Sequence, residues 1–501
     1  MESESHVKKL FSHTIIYGLG IILNRSVNFI LLPVYTNYYS PQEIGMLTLL
    51  QSISFFLMVV YALGMETSFM KFFIEEKDIK KRSVIFSSTL FFLLAFTIIF
   101  SSVIYFNSES IIYFFEFSDA DTSILLLKIL CVLMVADTVY RFPLLLFRAE
   151  LNAKTYAYIN LLTFIINIVS NIVMIVFLRM DIEAILYSYL ISVIVTLIVS
   201  LIITRKYLTY KFSVSEIKRM LGFGNKFIYI GMCLILIDMS DRFFLKYFYN
   251  EKTVGIYWAN YRLAAVMSLM IAAFKFSWTP YFLNLTENPE NKKIISKIFT
   301  YFCFTGLSLF LIFSLLTDKL VQTDIFGIQF LDEKYYYGLS IIPIVLLAFF
   351  FSGAYSTLNA APFFTDKTIL ILFISVTGLL INVALNFLMI PVLGMNGAAL
   401  STLFTYFAMF LIMYYYSQKI YKIKYEWKLI FRISILTGVF YLLSKAVLNN
   451  ISGNINIQII MNLVLIILFF FIINKTGMIR LKSVKDMILK RNSSMDKIET
   501  L

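Results

Sequence analysis

Basic side chains stand inside several of the long apolar runs of this sequence. A charged side chain in hydrocarbon costs at least about 2.5–3.5 kcal/mol on insertion scales, so it normally faces a cavity or a partner. The planar guanidinium group binds phosphate oxygens through paired hydrogen bonds. We therefore take six residues as candidates for binding an anionic ligand: Arg25, Arg141, Arg148, Arg242, Arg262 and Lys275.

The depth of these six residues within their runs separates their expected roles. Four lie deep and are expected to line an internal cavity: Arg25, Arg141, Arg262 and Lys275. Arg148 follows the fourth run near its inner end. Arg242, like Lys445, lies near the end of a run, where structural ion pairing or snorkelling is the favoured interpretation.

Three aspartates accompany the arginines, and they leave two interpretations open. Asp137 precedes Arg141 by four residues, and Asp238 precedes Arg242 by four, with Asp241 between them. Residues four apart share one face of a helix, so each pair can form an ion pair. We expect Asp137 and Asp241 to be partners of arginines rather than carriers of a coupling proton or cation.

Catalytic, metal and cofactor sites are not expected. The chain has two histidines, His6 and His13, and three cysteines that lie in apolar runs without a CxxC pattern: Cys131, Cys233 and Cys303. Zinc and redox centres draw mainly on these residue types. The cysteines are expected to behave as small hydrophobic side chains.

The elements that must position these charges are membrane-spanning helices. Hydrophobic residues make up 60% of the 501 residues, charged residues make up 15%, and the mean hydropathy is +0.82. Soluble chains are about 45–50% apolar. Since a spanning helix needs roughly 20 apolar residues, the sequence predicts an all-α membrane protein with about fourteen spans. These are 11–34, 44–70, 83–106, 124–147, 156–178, 183–204, 226–246, 254–282, 296–317, 338–361, 368–390, 396–418, 428–448 and 456–474.

The net charge of +13 predicts orientation rather than nucleic-acid binding. Lys and Arg concentrate in alternate short loops, whereas the loop 107–123 carries four acidic residues and no basic one. The positive-inside rule then places both termini in the cytoplasm. For the basic tail 475–501 we favour a plain cytoplasmic stop over a site for anionic lipid.

An internal repeat relates the first six spans to the next six at an offset of about 210–215 residues. The segment Ser40-Pro-Gln-Glu-Ile-Gly45 matches Asn250-Glu-Lys-Thr-Val-Gly255, and Asn167-Ile-Val-Ser-Asn171 matches Asn382-Val-Ala-Leu-Asn386. Parallel repeats of this kind form two lobes around a cavity that opens to alternate sides, as in a carrier. The expected organisation is an N-lobe at 1–210, a C-lobe at 211–425, helices 13 and 14 at 426–474, and a cytoplasmic tail at 475–501.

Several motifs resemble those of a known family. Asp241-Arg-Phe-Phe-Leu245 with Val254-Gly-Ile-Tyr257 is similar to a signature of polysaccharide-biosynthesis flippases, as are Leu31-Leu-Pro-Val-Tyr-Thr36 and Pro391-Val-Leu-Gly394. These are the O-antigen and capsule repeat-unit flippases of the multidrug/oligosaccharidyl-lipid/polysaccharide exporter superfamily. The resemblance implies a MATE-like fold of two six-helix lobes plus two C-terminal helices in the bacterial inner membrane.

The same resemblance implies the substrate and partners. An undecaprenyl-pyrophosphate-linked oligosaccharide would pass from the cytoplasmic to the outer leaflet, through a cavity lined by cationic side chains, for assembly of lipopolysaccharide or capsule. Membrane lipids and the polysaccharide polymerase and ligase machinery would be further partners. Two alternatives share the fold: a cation-coupled multidrug antiporter and a lipid II flippase. A membrane glycosyltransferase or polymerase is disfavoured, because the longest outside loop, 318–337, is short.

Overall fold

The computed structural model describes residues 26–283, 289–325, 328–365, 367, 369–448 and 454–477. Helices dominate these residues, which confirms the all-α prediction. The first half contains α1 to α8, at Leu32–Tyr38, Pro41–Ala62, Met65–Glu75, Ile79–Phe106, Ser108–Phe114, Ala120–Ala149, Ala153–Asn171 and Ala184–Thr204. A π-helical turn, Ile172–Phe177, extends α7, and a 3-10 turn, Arg205–Tyr207, follows α8.

The second half continues with longer helices and one short hairpin. Its helices α9 to α17 are Val214–Phe248, Glu251–Ala264, Val266–Leu283, Pro289–Leu320, Ile342–Leu358, Ala360–Phe364, Ile369–Ile420, Trp427–Leu443 and Ile455–Lys475. Strands β1 (Asp324–Ile325) and β2 (Ile328–Gln329) pair antiparallel. A 3-10 helix spans Glu333–Ile341, and a π-helical turn spans Ser444–Leu448.

Ten helices of the described residues are long and apolar enough to cross a membrane, or eleven if the two parts of α9, bent by 50°, form one span. Helix α15 is 52 residues long and is broken at Gly394, so it contains the predicted spans 11 and 12. Most of the first predicted span lies outside the described residues. The total of fourteen spans therefore stays a prediction.

Local sequence accounts for the helix boundaries around the second span. Ser40 caps α2 in a capping box with Glu43, and Pro41 occupies the first helical position. This arrangement satisfies backbone N–H groups that a helix start leaves free. The span then breaks at Leu63 and Gly64, which both adopt left-handed backbone conformations between α2 and α3. The inner part of the span can thus take a direction of its own.

The helices form two compact units. One unit contains α1 to α11, the hairpin and α13 to α15. The other contains α12, α16 and α17, which correspond to predicted spans 9, 13 and 14. Within this smaller unit Lys445 Nζ lies 2.6 Å from Asp318 Oδ2, the kind of ion pair expected for that lysine. The lobe boundaries at 210 and 425 remain a prediction.

Candidate functional site

Arg141 lies on α6 between two carboxylates. Its Nε and Nη2 atoms each lie 3.0 Å from Asp137 Oδ2, and its Nη1 atom lies 3.0 Å from Glu66 Oε1 of α3. Tyr189 of α8 donates its hydroxyl to Asp137 Oδ1 at 2.8 Å. The predicted pair of Asp137 and Arg141 therefore forms. Two carboxylates therefore compensate this guanidinium group.

Arg242 lies on α9 and is only 5% exposed. Its Nη1 atom donates to the backbone carbonyl of Asp238 at 2.6 Å and lies 3.4 Å from Asp241 Oδ1. Tyr257 donates to Asp241 Oδ2 at 2.6 Å, and Tyr406 donates to Asp238 Oδ1. The carboxylate that pairs with Arg242 is thus that of the adjacent Asp241, whereas Arg242 contacts Asp238 through its backbone carbonyl.

Arg262 on α10 has a different environment. Its guanidinium carbon lies 5.1 Å from the ring centre of Trp258, one turn earlier on the same helix. Among the described residues, no carboxylate oxygen lies within 4.0 Å of its nitrogen atoms. The Trp258 ring in turn packs against Tyr35 of α1, with ring centres 6.4 Å apart. The Arg262 side chain is partly exposed.

Of the three remaining candidates, one falls outside the described residues, and Lys275 is near enough to Asp238 to interact with it electrostatically. Arg25 falls in the segment 1–25, which the structure does not describe. Arg148 is partly exposed in the last turn of α6. Lys275 is exposed on α11. The structure therefore groups Arg141 with Asp137, and Arg242 with Asp238 and Asp241, and it leaves the ligand-binding roles as predictions.

Sequence reasoning did not assign roles to the polar partners of these charges. Glu66 is the one carboxylate within the second predicted span, a signal that could have marked it as a partner of Arg141. The tyrosines gave no such signal, because Tyr189, Tyr257 and Tyr406 are three of 32 tyrosines in the chain. Only the packing of distant helices identifies them.

The repeated asparagines occupy equivalent buried positions in the two halves. In the first half Asn171 accepts the Tyr35 hydroxyl at 3.0 Å and donates to Asn167 Oδ1 at 2.7 Å. In the second half Asn386 donates to Asn382 Oδ1 at 3.0 Å.

Among the described residues, no group of three or more His, Cys, Asp or Glu side chains could hold a metal ion.

Helices of the two repeats cross closely at the end of the spans that the loop charges predict to be outside. A Cβ on Gly45 of α2 would lie 1.8 Å from the Glu251 carbonyl oxygen, and a Cβ on Gly255 of α10 would lie 1.8 Å from that of Pro41. Gly45 and Gly255 are 210 positions apart, and Pro41 and Glu251 are 210 positions apart as well. The crossing is thus symmetric under the predicted repeat.

A buried carboxylate reinforces this outer crossing. Glu251, at the start of α10, accepts hydrogen bonds from the backbone N–H of Ser118 at 3.1 Å and from its hydroxyl. Lys246 Nζ lies 3.1 Å from Glu251 Oε1 and donates to the Phe115 carbonyl at 2.8 Å. Phe115 and Ser118 belong to the segment between α5 and α6. Two residues of the second repeat therefore hold a segment of the first.

The two repeats also meet at the predicted inner end. A Cβ on Gly224 of α9 would lie 2.6 Å from the Gly64 carbonyl oxygen. The Ser68 hydroxyl of α3 donates to the Met220 carbonyl of α9 at 2.7 Å. Since real Cβ atoms keep more than about 3 Å from such neighbours, glycine is required at this contact. Both ends of the interface between the repeats are closed in this structure.

Comparison with known proteins gives matches in both sequence and structure. The family model "Polysaccharide biosynthesis protein" matches residues 10–286. A protein of Haemophilus influenzae named "Lsg locus putative protein 1" is 28% identical over 147 residues, which span 28% of this chain and 36% of that relative.

Solved structures of two kinds of transporter share the fold. The lipid II flippase MurJ in an inward closed conformation matches with a TM-score of 0.75 and 16% identity over 92% of this chain and 99% of its own. An inward-facing multidrug resistance MATE family transporter of the MOP superfamily matches with a TM-score of 0.64 and 11% identity, over 80% of this chain and 99% of its own. At these identities the likeness shows the fold alone, and it confirms the predicted MATE-like architecture.

Proposed function

Because the chain belongs to the family of polysaccharide biosynthesis proteins, we propose that it flips an undecaprenyl-pyrophosphate-linked oligosaccharide from the cytoplasmic to the outer leaflet. Transport would proceed by alternating access, with the two repeats rocking about a central cavity. The pyrophosphate would be held by cationic side chains, and the sugars would be assembled outside into lipopolysaccharide or capsule. The chain would carry out no catalysis of its own.

Close contacts between the repeats at both ends support a carrier. The repeats touch at the Gly45–Gly255 crossing and again at the Gly64–Gly224 contact. Each contact joins rigid helices without a covalent link, so one end can separate while the other stays closed. A carrier needs this property, because its cavity must open to one side at a time.

The single observation that carries the proposed substrate class is that Arg262 has no carboxylate partner among the described residues. Arg141 and Arg242 already face carboxylates, whereas Arg262 lies over an indole ring within the predicted span 254–282. A membrane-embedded cation without an anionic partner is costly unless a ligand supplies the counter-charge. A pyrophosphate does so through charge-assisted hydrogen bonds, which are roughly twice as strong as neutral ones.

The two alternatives share the fold and predict other ligands. A cation-coupled multidrug antiporter would need a carboxylate free to bind a proton or a sodium ion. Asp137 and Asp241 are each engaged by an arginine and a tyrosine, which disfavours that role. A lipid II flippase would also use a cation for pyrophosphate, so only its sugar and peptide separate it from the proposed function.

The expected location and partners follow from the proposed function. The chain is a multi-pass membrane protein. The proposed function would place it in the bacterial inner membrane, and the basic loops favour a cytoplasmic position for both termini. Lipid-linked oligosaccharide and membrane lipids would be its direct partners. The polymerase and ligase machinery would receive the flipped substrate.

Complementation of a deletion strain tests this proposal. Arg262→Ala should abolish surface polysaccharide at normal membrane protein levels, whereas Arg262→Lys should retain part of it, because the charge remains without the planar fork. The matched control is Lys334→Ala, which removes an exposed lysine from the 3-10 helix, before the predicted span 338–361. Surface polysaccharide is quantified with immunoblots of the membrane fraction.

The same strains distinguish the alternatives. Unchanged polysaccharide with increased drug sensitivity on deletion would support the antiporter. Rescue of cells depleted of their lipid II flippase would support that function instead. Normal export by Arg262→Ala at normal protein levels would remove the head-group role of this arginine.

A further inference from the structure

Two phenylalanines join α3 and α9 at the predicted inner end. The rings of Phe72 and Phe223 meet edge to face, with centres 5.7 Å apart. Because Phe72 belongs to the first repeat and Phe223 to the second, this pair must separate whenever the inner end opens. It lies next to the close contact of Gly64 and Gly224.

A cation from each helix covers the ring of the other helix. Lys71 Nζ of α3 lies 4.2 Å from the centre of the Phe223 ring, and Arg219 Cζ of α9 lies 4.2 Å from the centre of the Phe72 ring. The arrangement is reciprocal, because each helix contributes one ring and one cation. We name these four residues, Lys71, Phe72, Arg219 and Phe223, the inner clasp.

Both cations of the inner clasp are exposed, and they form few ion pairs among the described residues. Arg219 forms one ion pair within its own helix, at 3.2 Å from Glu216 Oε2, with its side chain 48% exposed. Lys71 forms no ion pair among the described residues. Cation–π contacts at exposed sites are weak, whereas charged hydrogen bonds to phosphate are strong and can be bidentate for arginine. A phosphate group can therefore draw both cations away from their rings.

We infer that the inner clasp is an entry site for a pyrophosphate head group, and that binding at this site opens the inner end. This inference rests on the proposed function for the identity of the ligand. The head group of a lipid in the cytoplasmic leaflet would reach Lys71 and Arg219 before it reached the cavity. By engaging both cations, it would remove the two cation–π contacts between α3 and α9. The Phe72–Phe223 pair could then separate.

The accessibility of Ser68 reports opening at this end. Ser68 is fully buried, with its hydroxyl on the Met220 carbonyl. A thiol introduced by Ser68→Cys, after the three native cysteines are replaced by serine, should react only when α3 and α9 separate. The rate of labelling is measured on purified protein in phosphatidylcholine nanodiscs, with inorganic pyrophosphate as the first probe.

We expect pyrophosphate to raise the labelling rate at least about fivefold, which corresponds to release of two exposed cation–π contacts. With Lys71→Met and Arg219→Met together, labelling should be fast without pyrophosphate and should not respond to it. The charge-conserving double variant Lys71→Arg and Arg219→Lys should keep the response to pyrophosphate. The matched control is Lys206→Met, because Lys206 lies 4.9 Å from the Tyr207 ring within one repeat.

Two further labelling experiments decide which kind of lipid supplies the phosphate group. Undecaprenyl pyrophosphate in the nanodisc should raise the rate as inorganic pyrophosphate does, whereas phosphatidylglycerol at the same mole fraction should not. An equal response to phosphatidylglycerol would overturn the inference, because the clasp would then recognise bulk anionic lipid. An unchanged response to pyrophosphate in the double Met variant would overturn it as well.

Failure of this inference and failure of the proposed function give different results. The labelling experiment needs no oligosaccharide and no polysaccharide export. A normal pyrophosphate response in a protein whose deletion leaves surface polysaccharide intact would contradict only the proposed function. Loss of the response in a protein that supports export would contradict only the entry site.

Discussion

Gly45 of α2 and Gly255 of α10 face each other across the outer crossing of the two repeats, and neither position has room for a Cβ atom. A Cβ at either would lie 1.8 Å from a backbone carbonyl oxygen of the opposite helix. A flexible side chain could move away from such a clash, but a backbone carbonyl cannot do so without shifting its helix. The two glycines therefore set how closely the outer end can close.

Substitution of Gly255 by alanine should hold the outer end open. The helices must move apart to accommodate the methyl group, and overpacking of this kind costs about 1–3 kcal/mol. We expect a lower melting temperature and increased reaction of a thiol at Thr48→Cys, a buried position one turn further along α2. The control is Gly438→Ala on α16, where a Cβ would meet no atom within 4 Å. Unchanged labelling at position 48 would show that the outer end closes elsewhere.

The buried carboxylate of Glu251 should contribute to the same closure. Glu251→Gln keeps the shape but leaves Lys246 without its ion pair, with its side chain only 16% exposed. Breaking a buried pair costs up to about 3–5 kcal/mol, and the partial exposure of the lysine should reduce this to about 1–3 kcal/mol. Thermal unfolding in detergent should show the loss, and Glu333→Gln at an exposed position should not.

A double-variant measurement separates the ion pair from other effects of Glu251→Gln. Lys246→Gln in the Glu251→Gln background removes the uncompensated charge, so the double variant should be less destabilised than the two single changes together imply. Strict additivity of the three measurements would mean that Lys246 and Glu251 do not interact in solution.

Those parts of the fold that depend on the residues of a single helix were predictable from the sequence. Apolar runs of about 20 residues predict spans because lipid leaves no other partner for the backbone. The offset of Gly45 and Gly255 indicated the repeat, and the structure shows these residues in symmetric contact. The grouping of α12 with α16 and α17 was not predictable, because it depends on which apolar faces meet, and lipid-facing and helix-facing residues have similar composition.

The charged clusters were only partly predictable. The pair of Asp137 and Arg141 follows from a spacing of four residues on one helix. Arg242 pairs with the adjacent Asp241. The hydrogen bond that Asp238 accepts comes from Tyr406, which is more than 160 residues away in the chain. Contacts of that kind leave no local signal. They nevertheless decide which arginines face a carboxylate among the described residues, as Arg141 and Arg242 do.

The orientation in the membrane predicts opposite labelling of two exposed tyrosine positions. Tyr113 lies on α5 in the acidic loop and Tyr210 lies in a basic loop, with exposed fractions of 65% and 101%. In a background without native cysteines, a membrane-impermeant thiol reagent on intact cells should label Tyr113→Cys. It should label Tyr210→Cys only after the membrane is disrupted. The opposite pattern would reverse the orientation, and with it the direction of transport.

The role of Asp137 as an ion-pair partner can be tested by neutralising its whole cluster. Asp137→Asn should destabilise the protein and reduce transport, because Arg141 keeps only Glu66 as a charged partner and Tyr189 loses its ionised acceptor. If Asp137 acts as the partner of Arg141, the triple variant Asp137→Asn, Arg141→Gln and Glu66→Gln should be less destabilised than the sum of the three single changes, since no uncompensated charge is left in the cluster. Effects of the three changes that add strictly would contradict this role, and a loss of transport in Asp137→Asn at an unchanged melting temperature would point to a coupling proton instead. The measurements are the melting temperature and the surface polysaccharide at equal membrane protein levels.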